Sequence, residues 1–142
     1  MSIHSSWALR LGFLFALIAT LGSLYFSDVL GFPPCVLCWY QRICMYPLIA
    51  IFGVGLAREE RSALWYSLPL VVIGWGIAIY HNLLYYKLIP EHITPCQRGI
   101  SCTAKQVEYL GFITIPFLSL TAFTILIVLL ALARKGFRQN EK

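Results

Sequence analysis

Charge is scarce in this sequence. Only 12% of its 142 residues are charged and 59% are hydrophobic, whereas soluble proteins have about a quarter charged and roughly half apolar residues. The sequence also lacks internal repeats, low-complexity tracts and any stretch that reads as a linker. These absences argue against a water-soluble domain and a repeat array, and they make a membrane protein the default interpretation.

Four long stretches contain no charged residue: 11–27, 43–57, 62–86 and 109–133. A helix of about 20 apolar residues crosses the hydrocarbon layer of a membrane. The second stretch is short, so its helix must reach back through Arg42 toward Cys38 in order to span. We therefore predict an all-α integral membrane protein, a single domain over residues 1–142, whose four-helix bundle has transmembrane helices at about 7–27, 37–57, 63–85 and 111–133.

The first apolar stretch is long for a signal-peptide core, and no A-x-A-like cleavage site follows it. We therefore expect this stretch to remain as a membrane anchor.

Lysine and arginine are distributed unevenly along the predicted bundle. With Arg42 set aside, seven of the ten others lie beside the termini and the 58–62 turn, and three lie in the opposite loops. Because cytoplasmic loops carry the excess of these residues, we predict cytoplasmic termini, a cell-membrane location, and extracytoplasmic loops at about 28–36 and 86–110. The net charge of +5 then indicates contact with anionic membrane lipid rather than with nucleic acid.

Four of the five cysteines fall in the predicted extracytoplasmic loops or at the outer mouth of the second helix. Cys35 and Cys38 lie in PPCVLCWYQR, and Cys96 and Cys102 lie in TPCQRGISC. Disulfides persist on the oxidising side of a membrane, so the cysteine placement agrees with the charge distribution. Three interpretations remain open: a structural disulfide between Cys96 and Cys102, a zinc site with four converging ligands, and two redox-active pairs.

The CxxC spacing favours redox chemistry. A cysteine near a helix N-terminus is more easily ionised, and Pro33 and Pro34 are typical of a helix that starts beside Cys35. Trp39 follows Cys38 where c-type haem attachment needs histidine, and no βαβ pattern indicates a thioredoxin-like fold. Arg42 lies one turn beyond Cys38; it either serves a site within the membrane or extends its side chain to the headgroups.

Three segments carry a resemblance to a known family: LGSLYFS, PCVLCWYQRICMYPL and GFITIPFLSLTAF. The sequence resembles the bacterial disulfide bond formation protein B (DsbB) family, most closely its Gram-positive BdbC branch. CVLCWYQR is the specific part, since it combines CxxC with an arginine four residues after the second cysteine. The resemblance implies a thiol:quinone oxidoreductase that reoxidises an extracytoplasmic thioredoxin-like disulfide donor and uses menaquinone or ubiquinone as electron acceptor.

The same resemblance implies a role for each cysteine. Cys96 and Cys102 would exchange with the donor, with Cys96 forming the mixed disulfide. Cys35 and Cys38 would reoxidise that pair, and Cys38, as thiolate, would face the quinone beside Arg42. Better-studied Gram-negative members separate the loop cysteines by a much longer segment than the five residues found here.

Two further residues are singled out by position. His81 lies near the outer end of the third predicted helix, at roughly the depth of Cys38, and is a candidate quinone contact or an ordinary interface residue. Cys44 falls inside the second helix, where we expect a small packing residue. No residue is predicted to bind a metal.

Two other functions stay open at this point. A vitamin K epoxide reductase-like protein also combines CxxC, a loop pair and a quinone, with the electron flow reversed. A membrane scaffold would use its disulfides only to brace the outer loops.

Overall fold

The computed structural model consists mainly of four long helices. It describes residues 3–59, 62–90, 101–102, 108–109 and 113–140. The helices are α1 (Ile3–Leu24), α2 (Val36–Ala57), α3 (Ser62–Tyr85) and α4 (Ile115–Asn140). A π-helical turn, Tyr25–Val29, continues α1, and two short antiparallel strands, β1 (Glu108–Tyr109) and β2 (Ile113–Thr114), precede α4.

All four helices are long and apolar enough to cross a membrane. The candidate spans have 21 to 24 residues: Trp7–Val29, Val36–Ala57, Ser62–Tyr85 and Ile115–Lys135. Only 22–33% of the residues in their most apolar windows are buried, so most of these apolar residues are at least partly exposed. A soluble helix would have polar groups at such positions. The prediction of a helical protein with four helices that could span a membrane is confirmed.

Helix α4 begins at Ile115, and not at 111 as charge counting predicted. Ile113 and Thr114 pair instead with β1, and the Thr114 hydroxyl accepts a hydrogen bond from the Phe117 N–H at 3.4 Å. This is an N-cap contact. Pro116 therefore lies in the first turn of α4, where its missing N–H costs nothing. The start of the helix follows from these local contacts, which a count of apolar residues does not detect.

The helices form a ring in which each one packs against two neighbours: α1 with α2 and α4, and α3 with α2 and α4. The largest buried side chains of the interior include Leu9, Leu48, Phe52 and Phe123. Close approach of α3 and α4 depends on Gly74, because a Cβ atom at that position would overlap the Phe123 ring. Small residues bring membrane helices together in this way.

Polar contacts fix α3 against α4 along their length. The Asn82 side chain donates to the Pro116 carbonyl at 2.8 Å, and the Trp75 indole N–H donates to the Thr124 hydroxyl at 3.1 Å. At the other end of the bundle the Arg134 guanidinium lies 4.0 Å from the centre of the Trp65 ring.

The antiparallel arrangement places the start of α2 and the end of α3 at the same end of the bundle, where the candidate site lies.

Candidate active site

The CxxC pair lies at the beginning of α2. Cys35 is the N-cap residue, with φ −71° and ψ 170°, and its sulfur accepts the Cys38 N–H at 3.3 Å. Both cysteines are free, and their Sγ atoms are 2.8 Å apart. A disulfide needs about 2.05 Å between the sulfurs, so a small movement of the side chains joins them. The helix start that Pro33 and Pro34 predicted is present.

The environment of Cys35 stabilises its thiolate. The hydrogen bond from the Cys38 thiol lowers the pKa of the Cys35 thiol to about 5, against the opposing effect of burial and with support from the His81 imidazole. The backbone N–H of Cys38 acts in the same direction. The resemblance assigned the thiolate to Cys38, and these contacts lower the pKa of Cys35.

His81 is almost completely buried, with 1% of its surface exposed. Its Nε2 atom lies 3.8 Å from Cys35 Sγ and 3.2 Å from the carbonyl oxygen of Cys102. Its Nδ1 atom lies 3.4 Å from the side-chain nitrogen of Gln41. Residue 81 was predicted at the depth of Cys38; the structure places it in contact with the other cysteine of the pair.

Cys102 comes from the long loop and packs against the CxxC pair. It is disulfide-bonded and 3% exposed, in a cluster with Cys35, Leu37 and Leu84. Cys96, its predicted partner, lies outside the described residues, as does most of the predicted 86–110 loop. The described part of the loop therefore brings an oxidised cysteine against a reduced pair.

Arg42 is held by α1. Its Nε atom donates to the Ser23 hydroxyl at 2.9 Å, and Nη2 donates to the Ser23 carbonyl at 2.8 Å. The guanidinium also lies 5.3 Å from the centre of the Trp39 ring, a favourable cation–π distance. These contacts favour a fixed position within the bundle over extension to the headgroups. Within the described residues the Nη1 amino group makes no hydrogen bond.

A cavity of about 380 Å³ lies between α1, α2 and α4, beside this arginine. Most of its lining is apolar, including Phe15, Ile18, Leu118 and Phe123. Its polar lining includes Cys38, Gln41, Arg42, Tyr46 and Ser119. Small-molecule sites have this character, with apolar walls and a few placed polar groups. Cys38 is thus the cysteine of the pair that lines the cavity, while Cys35 is turned toward His81.

The Tyr46 hydroxyl is buried and has no hydrogen-bond partner within the described residues. A buried hydroxyl without a partner is costly, and this side chain lines the cavity. A ligand with a hydrogen-bond acceptor would remove that cost. Sequence reasoning missed Tyr46, and it missed Ser23 and Ser119, although all three lie in segments that carry the family resemblance.

The ligand atoms of Cys35, Cys38 and His81 lie within 4.8 Å of one another, and zinc accepts such a donor set. However, His81 Nε2 faces the Cys102 carbonyl oxygen at 3.2 Å. A carbonyl only accepts hydrogen bonds, so this nitrogen carries a proton and has no lone pair for a metal. The hydrogen bonding thus favours a reactive thiol pair over a zinc site.

Comparison with known proteins gives a consistent result. The family model for "Disulfide bond formation protein DsbB" matches residues 5–133. The chain is 42% identical to "Disulfide bond formation protein C" of Bacillus subtilis strain 168, over 93% of this chain and 91% of that protein. It is 45% identical to a "Probable disulfide formation protein" of Chlamydia trachomatis serovar D, over 92% and 95% of the two chains.

The chain belongs to the DsbB family. The resemblance stated from the sequence is confirmed, and the chain is a multi-pass membrane protein of a family of disulfide-forming oxidoreductases. No solved structure was found to match it.

Membership in the DsbB family bears on the alternatives left open by the sequence. Curated relatives are named for disulfide formation. These names argue against both a scaffold and a vitamin K epoxide reductase-like enzyme.

Cys44, the fifth cysteine, is buried among core residues of this DsbB-family bundle and does not line the cavity. It fits the packing role expected for it.

Proposed function

We propose that this protein is a thiol:quinone oxidoreductase of the cell membrane that supports disulfide formation in exported proteins. Its electron donor would be an extracytoplasmic thioredoxin-like protein, and its acceptor a membrane quinone, either menaquinone or ubiquinone. One observation carries the proposal: a free CxxC pair whose Cys38 lines an apolar cavity beside Arg42, while Cys35 packs with the disulfide-bonded Cys102.

The proposed reaction consists of two thiol–disulfide exchanges and one quinone reduction. The Cys96–Cys102 disulfide oxidises the dithiol of the donor and becomes a dithiol. That dithiol then reduces a Cys35–Cys38 disulfide, again through a mixed disulfide. Finally the Cys35–Cys38 dithiol gives two electrons and two protons to the quinone, which leaves as hydroquinone, and the disulfide is restored.

The cavity fits such an acceptor. Its volume of about 380 Å³ lies within the usual range for small-molecule sites, and its apolar walls suit an aromatic ring. A bound quinone supplies a two-electron acceptor with two ring oxygens. The Nη1 group of Arg42 and the Tyr46 hydroxyl, neither of which has a hydrogen-bond partner within the described residues, are donors suited to such oxygens. Cys38 also lines the cavity.

His81 was a candidate quinone contact because of its depth in the predicted bundle, but its position in the structure supports a role beside Cys35. His81 does not line the cavity but contacts Cys35 and the Cys102 carbonyl. We therefore propose that it acts on the thiol chemistry of Cys35 and not as a quinone contact. The uneven distribution of basic residues supports placing this end of the bundle on the extracytoplasmic face.

The proposal is tested with purified protein, a reduced thioredoxin-like donor and a soluble quinone analogue. Loss of quinone absorbance is followed for the wild type and for the variants Cys38→Ser and Cys44→Ser. We expect Cys38→Ser to abolish quinone reduction, because its sulfur is at the cavity wall. Cys44→Ser is the matched control, since it removes a buried cysteine of the same helix that does not line the cavity.

Quinone reduction at the wild-type rate by the Cys38→Ser protein would refute the mechanism. Preferential oxidation of hydroquinone, with reduction of the donor disulfide, would instead indicate the reversed flow of a vitamin K epoxide reductase-like enzyme.

A further inference from the structure

A chain of polar contacts runs through the interior of the bundle from α4 to the loop. The Ser119 hydroxyl donates to Gln41 Oε1 at 2.8 Å, Gln41 Nε2 lies 3.4 Å from His81 Nδ1, and His81 Nε2 lies 3.2 Å from the Cys102 carbonyl oxygen. Gln41 is 6% and His81 1% exposed. The contacts of His81 are therefore shielded from water, whereas Ser119 is half-buried at the cavity wall.

The hydrogen bonds in this chain have a single consistent direction. The Cys102 carbonyl only accepts, so His81 Nε2 must carry a proton. In a neutral imidazole the other nitrogen is then an acceptor, and Gln41 must offer it an N–H. This orientation leaves the Gln41 oxygen facing Ser119, where it accepts the hydroxyl proton. The backbone carbonyl at one end thus requires this orientation of Gln41, and the Ser119 hydroxyl stabilises it by donating to the Gln41 oxygen.

We propose that Gln41 and Ser119 are positioning residues that hold His81 with its Nε2 proton toward the Cys35 sulfur and the Cys102 carbonyl. The proposal rests on the proposed role of Cys35 in thiol–disulfide exchange. It gives Gln41 and Ser119 a function besides lining the cavity.

The reverse orientation would be unfavourable at two points. If the Gln41 amide turned over, its oxygen would face Nδ1 and select the tautomer with the proton on that nitrogen. The Nε2 lone pair would then face the Cys102 carbonyl oxygen, and the Cys35 sulfur at 3.8 Å would lose an N–H donor. The rotation would also break the 2.8 Å hydrogen bond that the Ser119 hydroxyl donates to the Gln41 oxygen.

Few other groups face Cys35 in the described part of the chain. From α2 it meets the Cys38 thiol and backbone N–H, and from α3 it meets His81. Tyr80 packs on the same cluster, and the disulfide-bonded Cys102 does not titrate. A change in the tautomer of His81 therefore removes one of a small number of donors to this sulfur.

The tautomer is measured directly by ¹⁵N NMR of histidine-labelled protein in detergent, because protonated and unprotonated ring nitrogens have well-separated shifts. The chain has three histidines, and the signals missing from a His81→Asn protein identify residue 81. We expect a proton on Nε2 in the wild type and in Ser119→Thr, which keeps the hydroxyl. In Ser119→Ala and Gln41→Met we expect a mixture of tautomers.

A second measurement tests how the tautomer of His81 affects the reactivity of Cys35. The reduced, quinone-free protein is alkylated by iodoacetamide at a series of pH values, and Cys35 is followed by mass spectrometry. In Ser119→Ala and Gln41→Met we expect the midpoint to move to higher pH, with alkylation at pH values below the wild-type midpoint slowed about fivefold, as for the loss of one hydrogen bond. Ser119→Thr should match the wild type.

Two results would overturn the inference. One is a wild-type His81 with its proton on Nδ1. The other is a folded Ser119→Ala protein, shown by an unchanged circular dichroism spectrum, that has the wild-type tautomer and alkylation midpoint. Neither measurement uses quinone or donor protein, so a failure of the proposed function would appear only in the quinone assay.

Discussion

Arg42 of α2 reaches across to α1 and donates two hydrogen bonds to Ser23, one to the hydroxyl and one to the backbone carbonyl. Ser23 lies two residues before the π-helical turn Tyr25–Val29. Such turns often occur at functional sites in helices. The contact uses Nε and Nη2 of a residue that lines the cavity, so Ser23 holds the guanidinium in a fixed position there.

The first prediction concerns Ser23. Ser23→Ala removes the hydroxyl acceptor and leaves only the carbonyl, so the guanidinium gains freedom to turn. We expect quinone reduction to fall about fivefold, the effect of one hydrogen bond. Ser23→Thr retains a hydroxyl and should keep most of the activity. Equal rates for Ser23→Ala and the wild type would show that this contact does not position Arg42.

The second prediction concerns pH. The pKa of the Cys35 thiol is lowered from 9.0 to about 5, chiefly by the hydrogen bond from Cys38, and the thiolate is the reactive species. Alkylation of Cys35 in the reduced protein should stay nearly constant from pH 8 to pH 6 and fall by half near pH 5. An ordinary thiol would already lose reactivity below its pKa of about 8.5.

The lowered pKa of the Cys35 thiol also makes the stability of the reduced protein depend on pH. Because the pKa is lowered by folding, ionised Cys35 stabilises the reduced, folded protein at high pH. This contribution is lost as the pH falls from 9 toward 5. Thermal melting of the reduced protein across this range should show the loss, and Cys35→Ser should remove this part of the pH dependence.

The third prediction concerns the unpaired hydroxyl of Tyr46. If it donates to a quinone oxygen, Tyr46→Phe should raise the KM for quinone about fivefold, as expected for one lost hydrogen bond, with a smaller effect on kcat. The thermal stability of the quinone-free protein should not fall, since the hydroxyl has no partner within the described residues. Tyr40→Phe is the control, because Tyr40 is 45% exposed and does not line the cavity. Equal KM values for the two variants would contradict this role.

The fourth prediction concerns the contact of α3 with α4. Gly74→Ala places a methyl group where the Phe123 ring lies, and we expect a loss of about 1–3 kcal/mol from overpacking. Gly76→Ala lies in the same helix with nothing within 4 Å of the added methyl, so it should be neutral or slightly stabilising through its helix propensity. Thermal unfolding in detergent compares them; similar melting temperatures would show that α3 and α4 accommodate the methyl group at Gly74.

The sequence predicted the number and approximate position of the helices well, because the requirement to span hydrocarbon with satisfied backbone groups is a matter of length and polarity alone. It misplaced the start of α4, where a strand pair, the Thr114 cap and Pro116 determine the boundary. The cap joins residues three apart, but the strand pair also needs β1, and the apolar pattern did not predict a strand there.

By itself, the sequence determined that the chain is a four-helix membrane protein with a CxxC pair at a helix mouth and Arg42 one turn further on, since spacing along one helix fixes those relations. Only the tertiary structure decided how the two cysteines differ. Contacts from α3 and the loop place Cys35 against His81 and Cys102, whereas the gap between α1, α2 and α4 exposes Cys38 to an apolar cavity. The partners Ser23, Gln41 and Ser119 come from three helices, and no periodicity within one helix reveals how side chains of another will meet it.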